Sequence, residues 1–171
     1  RASKEAHKWK PPEESFIKIN VDAAFCAETH EGGTGVAVRN HEGNLIRAQF
    51  LWYEAGLNAR SLEAYAIRDG VQLAADLGYR KVIIESDAQQ VIKQCNSPGL
   101  DRSEIAITVT EIQELCGMFE EFCLVYTHRE ANEMAHLCAR QCSSSRRRCL
   151  WINYIPSFLT ACVMKECNPA A

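Results

Sequence analysis

The sequence lacks the features of a membrane protein and of a strongly charged nucleic-acid binder. It has no run of about 18 apolar residues, so we expect no membrane span, and no charged-then-apolar signal segment opens it. Lys and Arg number 19 against 22 Asp and Glu, which gives a formal net charge of −3. This balance provides no global attraction to nucleic acid, so a polyanionic ligand would need a local site or bound cations.

Regular cysteine spacing is also lacking, although nine cysteines are present. This pattern favours reduced thiols and an intracellular setting, in the nucleus or another compartment, over a disulfide framework. Cys138 and Cys142 lie one helical turn apart near His136. Because no second Cys or His pair follows at zinc-finger spacing, we interpret them as buried thiols.

The 171 residues are enough for one domain with a substantial core. Residues 1–15 contain lysines and a Pro pair and predict a linker or arm, in which Trp9 is a candidate to dock on the domain. Residues 16–142 predict the folded domain. Residues 143–171 predict a flexible basic break, Ser143–Arg148, and then an amphipathic tail. Since the first residue is Arg, we expect a monomeric domain of a larger protein.

An alternating stretch from Phe16 to Phe25 predicts the first strand. Its odd-numbered residues from Ile17 onward are apolar and share one face, whereas Asp22 lies near the middle of the other face. Asp is a poor strand former, so its presence needs a reason. It is either an outward, solvated residue of an antiparallel sheet or a metal ligand held on a rigid element.

Two more strands are predicted over 36–39 and 45–52, joined by short Gly-bearing connections. Together with the first strand they predict an antiparallel meander. The glycines of Glu31–Gly35 lack the spacing of a phosphate-binding loop, so we interpret this segment as hairpin geometry.

A long helix is predicted from about Asn58 to Leu77, ended by Gly78. Glu63 falls on the same face as Ile67, in the stripe that should pack on the sheet. A buried carboxylate needs a cation or a proton. Alternatively, the helix dipole near the helix start favours its negative charge.

The second half of the domain alternates strands and helices. A short apolar strand, Lys81–Ile84, is typical of a strand buried on both faces and leads into Asp87 and a helix to about Cys95. Asp87 with Gln90 fits a helix capping box, which by itself would explain the carboxylate. Further helices are predicted at 103–118 and 131–141, and a last strand at 122–126.

This order of elements predicts an α/β fold. We expect a mixed five-stranded sheet, in which the three-stranded antiparallel meander is joined to parallel strands, with helices on both faces.

Three carboxylates on separate elements, Asp22, Glu63 and Asp87, describe a pocket of hard oxygen ligands. Clustered carboxylates repel one another, so the pocket requires divalent cations. Mg²⁺ suits such a site because it binds through a few carboxylates together with substrate phosphate oxygens. Two such ions can activate a water molecule and stabilise the leaving oxygen in a phosphodiester displacement.

Four motifs in order carry a family resemblance: Ile-Asn-Val-Asp22-Ala-Ala-Phe, Leu62-Glu63-Ala-Tyr-Ala, Ile84-Glu-Ser-Asp87-Ala and Arg129-Glu-Ala-Asn132-Glu-Met-Ala-His136. Over about residues 16–142 the chain resembles the ribonuclease H family. In particular it resembles the reverse-transcriptase-like branch common in plant retroelement-derived proteins. The stretch from Trp151 to Leu159 is also similar to the tail of that branch.

The resemblance implies a ribonuclease H-like fold and cleavage of the RNA strand of RNA–DNA hybrids with two Mg²⁺ or Mn²⁺ ions. It implies that Asp22, Glu63 and Asp87 are catalytic metal ligands. His136 occupies the position of the fourth acid, which departs from the commonest family pattern, and imidazole suits Mg²⁺ less well than carboxylate does. His136 is therefore either the fourth catalytic ligand or a half-buried structural histidine.

Contacts to the hybrid are expected from 2′-hydroxyl and phosphate recognition. The candidate nucleic-acid-binding residues are Asn20, Ala23, Asn58, Arg60, Ser61, Arg129 and Asn132. Further candidate phosphate contacts, each of which is otherwise a solvated surface charge, are Lys18, Arg39, Arg47 and His128.

Two other functions remain open from the sequence. His136, the negative net charge and the short, non-basic stretch 96–104, where some family members carry a basic helical protrusion, favour a non-catalytic nucleic-acid-binding module derived from a retroelement. In the third interpretation the acids are capping and surface residues of a plain α/β scaffold, which predicts no metal-dependent gain in melting temperature.

Overall fold

A computed structural model describes residues 7–54, 57–97, 99 and 102–167. These residues form six strands and five α-helices. The order is β1 (Ile17–Cys26), β2 (Glu31–Arg39), β3 (Leu45–Tyr53), α1 (Ala59–Asp76), β4 (Lys81–Ser86), α2 (Gln89–Asn96), α3 (Ala106–Cys116), β5 (Glu121–Tyr126), α4 (Glu133–Ala139), β6 (Arg148–Ile152) and α5 (Thr160–Cys167). Short 3₁₀ turns at Arg129–Ala131 and Ser157–Leu159 precede α4 and α5.

The strands form one mixed sheet in the order β5-β4-β1-β2-β3-β6. The pairs β1–β2, β2–β3 and β3–β6 are antiparallel. In contrast, β4 runs parallel to β1, and β5 runs parallel to β4. The predicted mixed α/β sheet with an antiparallel meander is confirmed. The described helices contain no segment long and apolar enough to span a bilayer.

The predicted number of five strands is wrong, because the segment after α4 adds a sixth. Within the predicted basic break, Ser143 and Arg146 exchange backbone hydrogen bonds in a tight turn, and Arg148–Ile152 then pairs with β3. Trp151 packs edge-to-face against Phe50 with ring centroids 5.5 Å apart. The strand therefore covers the edge of β3 and contributes to the core.

One face of the sheet is a continuous apolar core covered by α1, α2 and α3. The odd-numbered residues of β1 lie on this face, as the alternation predicts, with Ile19 and Val21 fully buried. α1 crosses β1 closely: a Cβ at Gly70 would lie 2.5 Å from Cγ1 of Val21. Gly70 therefore sets the depth at which α1 packs on the sheet.

The other face is covered by α4, α5 and the N-terminal arm, and it has two halves. Over β3, β6 and β2 up to Ala37 it is apolar, with Met134, Cys138 and Leu159 buried. Over β1 and β4 it is polar but still closed to solvent: Lys18 is 9%, Asn20 0% and Asp22 5% exposed. The outward, solvated interpretation of Asp22 is therefore wrong.

Glycine inside β2 explains how α4 comes so close to the sheet. Gly32, Gly33 and Gly35 lie within the strand and not in the predicted hairpin turn. A Cβ at Gly35 would lie 2.2 Å from the carbonyl oxygen of Ala135, so only glycine admits the helix at this depth. Gly35 pairs directly with Asp22, and α4 thus passes over that carboxylate.

Candidate metal centre

The site lies where β4 ends beside the middle of β1, its parallel neighbour. Asn20 of β1 pairs with Glu85 of β4, and β4 ends one residue later at Ser86. Asp22 and Asp87 each follow two residues after that pair, so the parallel register places them side by side at the carboxyl edge of the sheet. In α/β folds, ligands commonly bind in the crevice just beyond the carboxyl ends of the strands.

The third carboxylate comes from α1. Asn58 caps this helix by accepting a hydrogen bond from the Ser61 amide at 2.8 Å, and Glu63 follows one turn after the first helical residues. No acidic residue lies in the first turn, so the helix dipole gives little reason for a charge at Glu63. Packing of α1 on the sheet carries this carboxylate to Asp22 and Asp87.

Asp22, Glu63 and Asp87 each offer an oxygen, and these oxygens lie within 4.8 Å of one another. The Oε2 atom of Glu63 is buried without a hydrogen-bond partner. A buried, unpartnered carboxylate oxygen is costly unless it is protonated or bound to a cation. The three predicted acids are therefore together, in the arrangement that a cation would stabilise.

Burial first, and then mutual repulsion, raises the pKa values of Asp22 and Glu63. Burial and the charge of Asp87 raise the pKa of Asp22 from 3.8 to about 6, although a hydrogen bond with His136 acts in the opposite direction. Burial, and then the charges of Asp22 and Asp87, raise the pKa of Glu63 from 4.5 to about 9. Near neutral pH, Glu63 therefore holds a proton unless a cation displaces it.

His136 reaches this cluster through Asp22. Its Nδ1 lies 2.8 Å from Oδ2 of Asp22, and the side chain is 25% exposed. The contact is made possible by the close crossing of α4 over Gly35. Among the described residues, the group able to share one ion comprises the three carboxylates and not His136, so the imidazole is placed to hold Asp22.

The capping explanation for Asp87 is wrong. The residue before α2 is Ala88, and no side chain makes a capping hydrogen bond there. Instead, Oγ of Ser86 accepts a hydrogen bond from the Ala88 amide at 3.1 Å. The Asp87 side chain is thus left for the cluster.

Two predicted nucleic-acid contacts, Asn20 and Asn132, have buried side chains that bind other groups of the protein. Asn20 is 0% and Asn132 is 1% exposed, and they bind each other through Asn20 Nδ2 and Asn132 Oδ1 at 3.1 Å. Asn132 Nδ2 donates to the carbonyl oxygen of Val21 at 2.9 Å. Arg39, a candidate phosphate contact, is also fully buried.

The other candidates lie on or near the surface. Asn58, Arg60 and Arg129 are exposed, and Ser61 and Ala23 are half-buried. Asn58 is occupied as the helix cap. Arg60 pairs with Glu104 at 3.6 Å through a side chain that is 41% exposed, which solvent weakens. Arg129 lines a hollow of about 330 Å³ together with His136 and Lys165. Their contact with nucleic acid stays a prediction.

The cluster suits a hard divalent ion. Oxygens on opposite sides of a Mg²⁺ ion, each about 2.1 Å from it, lie about 4.2 Å apart, so small side-chain rotations bring oxygens within 4.8 Å to that spacing. Carboxylates are the ligands that Mg²⁺ and Mn²⁺ prefer. The unpartnered Oε2 of Glu63 is the atom that gains most from such an ion.

Comparison with known proteins gives the family. A family model described as reverse transcriptase-like matches residues 20–142. This chain belongs to the reverse transcriptase-like family. The region matched contains three of the four motifs on which the sequence resemblance depends, and the first motif from its second residue, Asn20, onward.

Solved structures show that this reverse transcriptase-like domain has a ribonuclease H-like fold. Ribonuclease H1 of the halophilic archaeon Halobacterium salinarum is 18% identical, with a TM-score of 0.68 over 74% of this chain and 96% of that one. LC11 ribonuclease H1, isolated from compost by a metagenomic approach and solved with an RNA/DNA hybrid, is 14% identical, with a TM-score of 0.66 over 74% of this chain and 95% of that one. No curated protein sequence matches the chain.

A larger viral protein contains a similar unit. The foamy viral protease-reverse transcriptase, solved in complex with an RNA/DNA hybrid, is 14% identical with a TM-score of 0.63. The match covers 85% of this chain and 22% of that one. All these identities are low, so the likenesses show the fold of this reverse transcriptase-like domain and not its activity.

Sequence reasoning missed several residues that shape the site of this reverse transcriptase-like domain. Glu85 accepts a hydrogen bond from Asn20 at 3.2 Å, and Gly35 admits α4. A glycine inside a strand pattern is a signal of close backbone approach, so the role of Gly35 was readable in principle. The role of Glu85 was not, because it depends on which strand lies beside β1.

Proposed function

We propose that this domain is a divalent-metal-dependent ribonuclease that cleaves the RNA strand of RNA–DNA hybrids. The observation that carries the proposal is the cluster of Asp22, Glu63 and Asp87, whose oxygens lie within 4.8 Å of one another at the carboxyl edge of the sheet. Membership of the reverse transcriptase-like family and the ribonuclease H-like fold support the choice of substrate.

The three carboxylates would bind Mg²⁺ or Mn²⁺, and we propose two ions. The bound ions would activate water and neutralise charge on the phosphodiester. Asp22, Glu63 and Asp87 are the ligands. They come from β1, α1 and the end of β4, which are rigid elements that fix the carboxylates before substrate arrives. The raised pKa of Glu63, about 9, means that its proton must leave as the ion binds.

His136 would orient Asp22 through its Nδ1 hydrogen bond of 2.8 Å. A carboxylate held by a neighbouring imidazole keeps one rotamer, so it presents a fixed oxygen to the site. A direct ligand role for His136 would use Nε2, since Nδ1 is engaged with Asp22, but His136 is not among the described residues whose ligand atoms lie within 4.8 Å of one another. We therefore propose that His136 supports the ligand set and binds an ion only weakly, if substrate moves it.

The test is cleavage of a labelled RNA–DNA hybrid with Mg²⁺ or Mn²⁺, compared with EDTA. Asp22→Asn and Glu63→Gln should each reduce cleavage at least about 100-fold, because each removes a charged ligand. Asp76→Asn is the matched control, since Asp76 lies on the exposed end of α1, where it pairs with Gln72. Equal cleavage by wild type and Asp22→Asn would refute the proposal.

A second candidate function is a nucleic-acid-binding module without turnover. It is favoured by one observation: His136 stands at the position of the fourth acid and is bound to Asp22. Titration of hybrid and duplex DNA, each with and without Mg²⁺, separates the two functions. Tight binding that is independent of metal, with no cleavage product, would support the module.

A further inference from the structure

The buried guanidinium of Arg39 connects both ends of the chain to the sheet. Arg39 lies on β2, is 0% exposed and forms an ion pair with Glu166 of α5. Its guanidinium stacks over the Trp9 ring, 3.7 Å from the centroid. A buried arginine destabilises the folded protein unless such partners compensate its charge. The contacts from the N-terminal arm and from α5 are therefore needed to stabilise the buried Arg39.

Arg39 and Trp9 meet at one atom of β1. Arg39 Nη2 donates to Oδ1 of Asn20 at 3.2 Å, and the Trp9 indole N–H donates to the same oxygen at 3.0 Å. With Oδ1 held by two donors, the amide of Asn20 has one orientation. Its Nδ2 then points to Asn132 Oδ1, 3.1 Å away, and to Glu85 Oε1, 3.2 Å away.

Asn132, whose side chain is held by Asn20, forms hydrogen bonds with both β1 and α4 beside the candidate metal centre. Its Nδ2 donates to the carbonyl oxygen of Val21, the residue before Asp22, at 2.9 Å. Its own carbonyl oxygen accepts the His136 amide in the first turn of α4 at 3.2 Å. The relative position of β1 and α4 is thus fixed one residue from Asp22 and one helical turn from His136.

The two partners of Arg39 from the chain ends, Trp9 and Glu166, lie outside the region that the family model matches. That match covers 20–142, whereas Trp9 precedes it and Glu166 follows it. Both flanks fold onto the same face of the sheet, and Lys18 fastens the arm further by donating to the carbonyl oxygen of Lys10 at 2.7 Å. The polar half of this face is therefore completed by residues from the two flanks.

We propose that Trp9, Arg39 and Glu166 are positioning residues for the candidate metal centre. Through Asn20 and Asn132 they hold α4 against β1, so that His136 and Asp22 stay paired and the carboxylates keep their spacing. The effect of these residues on metal binding rests on the proposed function. Their effect on the position of α4 does not, because it can be measured in the metal-free protein.

The test compares two Trp→Phe substitutions in the full chain. Trp9→Phe keeps a ring beside Arg39 but removes the indole N–H that binds Asn20. Trp151→Phe is the matched control, because Trp151 packs against Phe50 and Phe158 in the apolar half of the same face. The two readouts are amide hydrogen exchange over 132–139 in EDTA and Mn²⁺ affinity by electron paramagnetic resonance, both taken well below the melting temperature of each variant.

Trp9→Phe should speed exchange of the His136 amide at least about fivefold and weaken Mn²⁺ binding about tenfold, the usual size of an effect transmitted through ligand-supporting hydrogen bonds. Trp151→Phe should change each quantity less than twofold. Arg39→Lys, which keeps a charge opposite Glu166 but lacks the second Nη donor, should reproduce the effect of Trp9→Phe.

Equal effects of Trp9→Phe and Trp151→Phe on exchange would overturn the proposal, since the arm would then be one packing contact among others. Unchanged exchange in both Trp9→Phe and Arg39→Lys would overturn it as well. If wild type binds no Mn²⁺, the proposed function fails, and the positioning role is then decided by hydrogen exchange alone.

Discussion

The two faces of the central sheet use alternate residues of the same strands for different purposes. On the α1 face, β1 contributes Ile19 and Val21 to a continuous apolar core. On the α4 face, the same strand contributes Lys18, Asn20 and Asp22, which are also buried. Alternation in β1 therefore does not separate core from solvent. It separates a face that stabilises the fold from a face that supports a charged site.

The two faces also differ in what a lost contact costs. An apolar core loses stability in proportion to the volume removed. A buried polar face depends on every partner being present, because one missing partner leaves a desolvated charge or amide without compensation. We therefore expect substitutions on the α1 face to change folding stability, and substitutions on the polar half of the α4 face to change metal binding and pH response.

The largest effect is expected on the apolar face. Ile67→Ala, in α1 at a fully buried position, should lower the free energy of unfolding by about 2 to 5 kcal/mol. It should leave the Mn²⁺ affinity of the folded fraction unchanged. Urea denaturation measures the loss, with Arg80→Ala as the control because the Arg80 side chain is 80% exposed. A change in Mn²⁺ affinity equal to that of a ligand substitution would break the distinction between the two faces.

The next effect is stabilisation by metal. At about 100 times its dissociation constant, Mg²⁺ should add about 2.7 kcal/mol, which raises the melting temperature of a domain of this size by about 5 to 10 °C. Asp22→Asn should abolish the gain, whereas Asp76→Asn should keep it. Thermal denaturation with Mg²⁺ and with EDTA measures both. No gain in the wild type would favour the plain scaffold.

Glu63 makes the polar site sensitive to pH. In the unfolded chain its pKa is about 4.3, whereas in the folded protein it is about 9. Between these values the folded state holds a proton that the unfolded state has lost, so the free energy of unfolding in EDTA should fall as pH rises.

Glu63→Gln removes this titration and should flatten the pH dependence. At pH 8 it should stabilise the metal-free protein by about 1 to 2 kcal/mol, a conservative fraction of the shift at about 1.4 kcal/mol per pKa unit. Urea denaturation between pH 5.5 and 8.5 measures it, with the exposed Glu42→Gln as the control. A wild-type stability that rises over this range would contradict the raised pKa of Glu63.

The smallest effect is expected where charge on the α4 face is exposed. Lys165 pairs with Glu133 at 3.4 Å, and the Lys165 side chain is 71% exposed. Lys165→Ala should therefore change the free energy of unfolding by about 0.5 kcal/mol or less. A loss of more than about 1 kcal/mol in urea denaturation would mean that surface charge, and not the buried network, holds α4.

The sequence predicted the elements more reliably than their ends. The alternation of β1, the long helix α1 and the mixed sheet are confirmed. The Gly-rich start of β2 was misread as a turn, because glycine is common in turns and the helix that requires it lies about 100 residues later. The sixth strand was missed for a similar reason: its short alternation has meaning only beside the edge of β3.

The candidate site was only partly predictable. Asp22 and Glu63 could be selected because a carboxylate is unusual in the middle of a strand and on the sheet-facing stripe of a helix, whereas Asp87, which follows β4, stood out only together with them. Whether Asp87 caps a helix, or Arg39 faces solvent, depends on what packs against each residue, and these local interpretations were wrong. A polar residue on an alternating strand has the same sequence pattern whether water or a buried network satisfies it.

By itself, the sequence determined which residues are apolar in a strand or helix period, and hence the elements and the mixed sheet. It also placed three carboxylates on three of those elements. Only the tertiary structure decided that the carboxylates meet, that His136 holds Asp22, and that Trp9 and Glu166 close on Arg39. Side-chain periodicity is a local property of the backbone, whereas the partner of a buried charge is set by contacts between segments far apart in the chain.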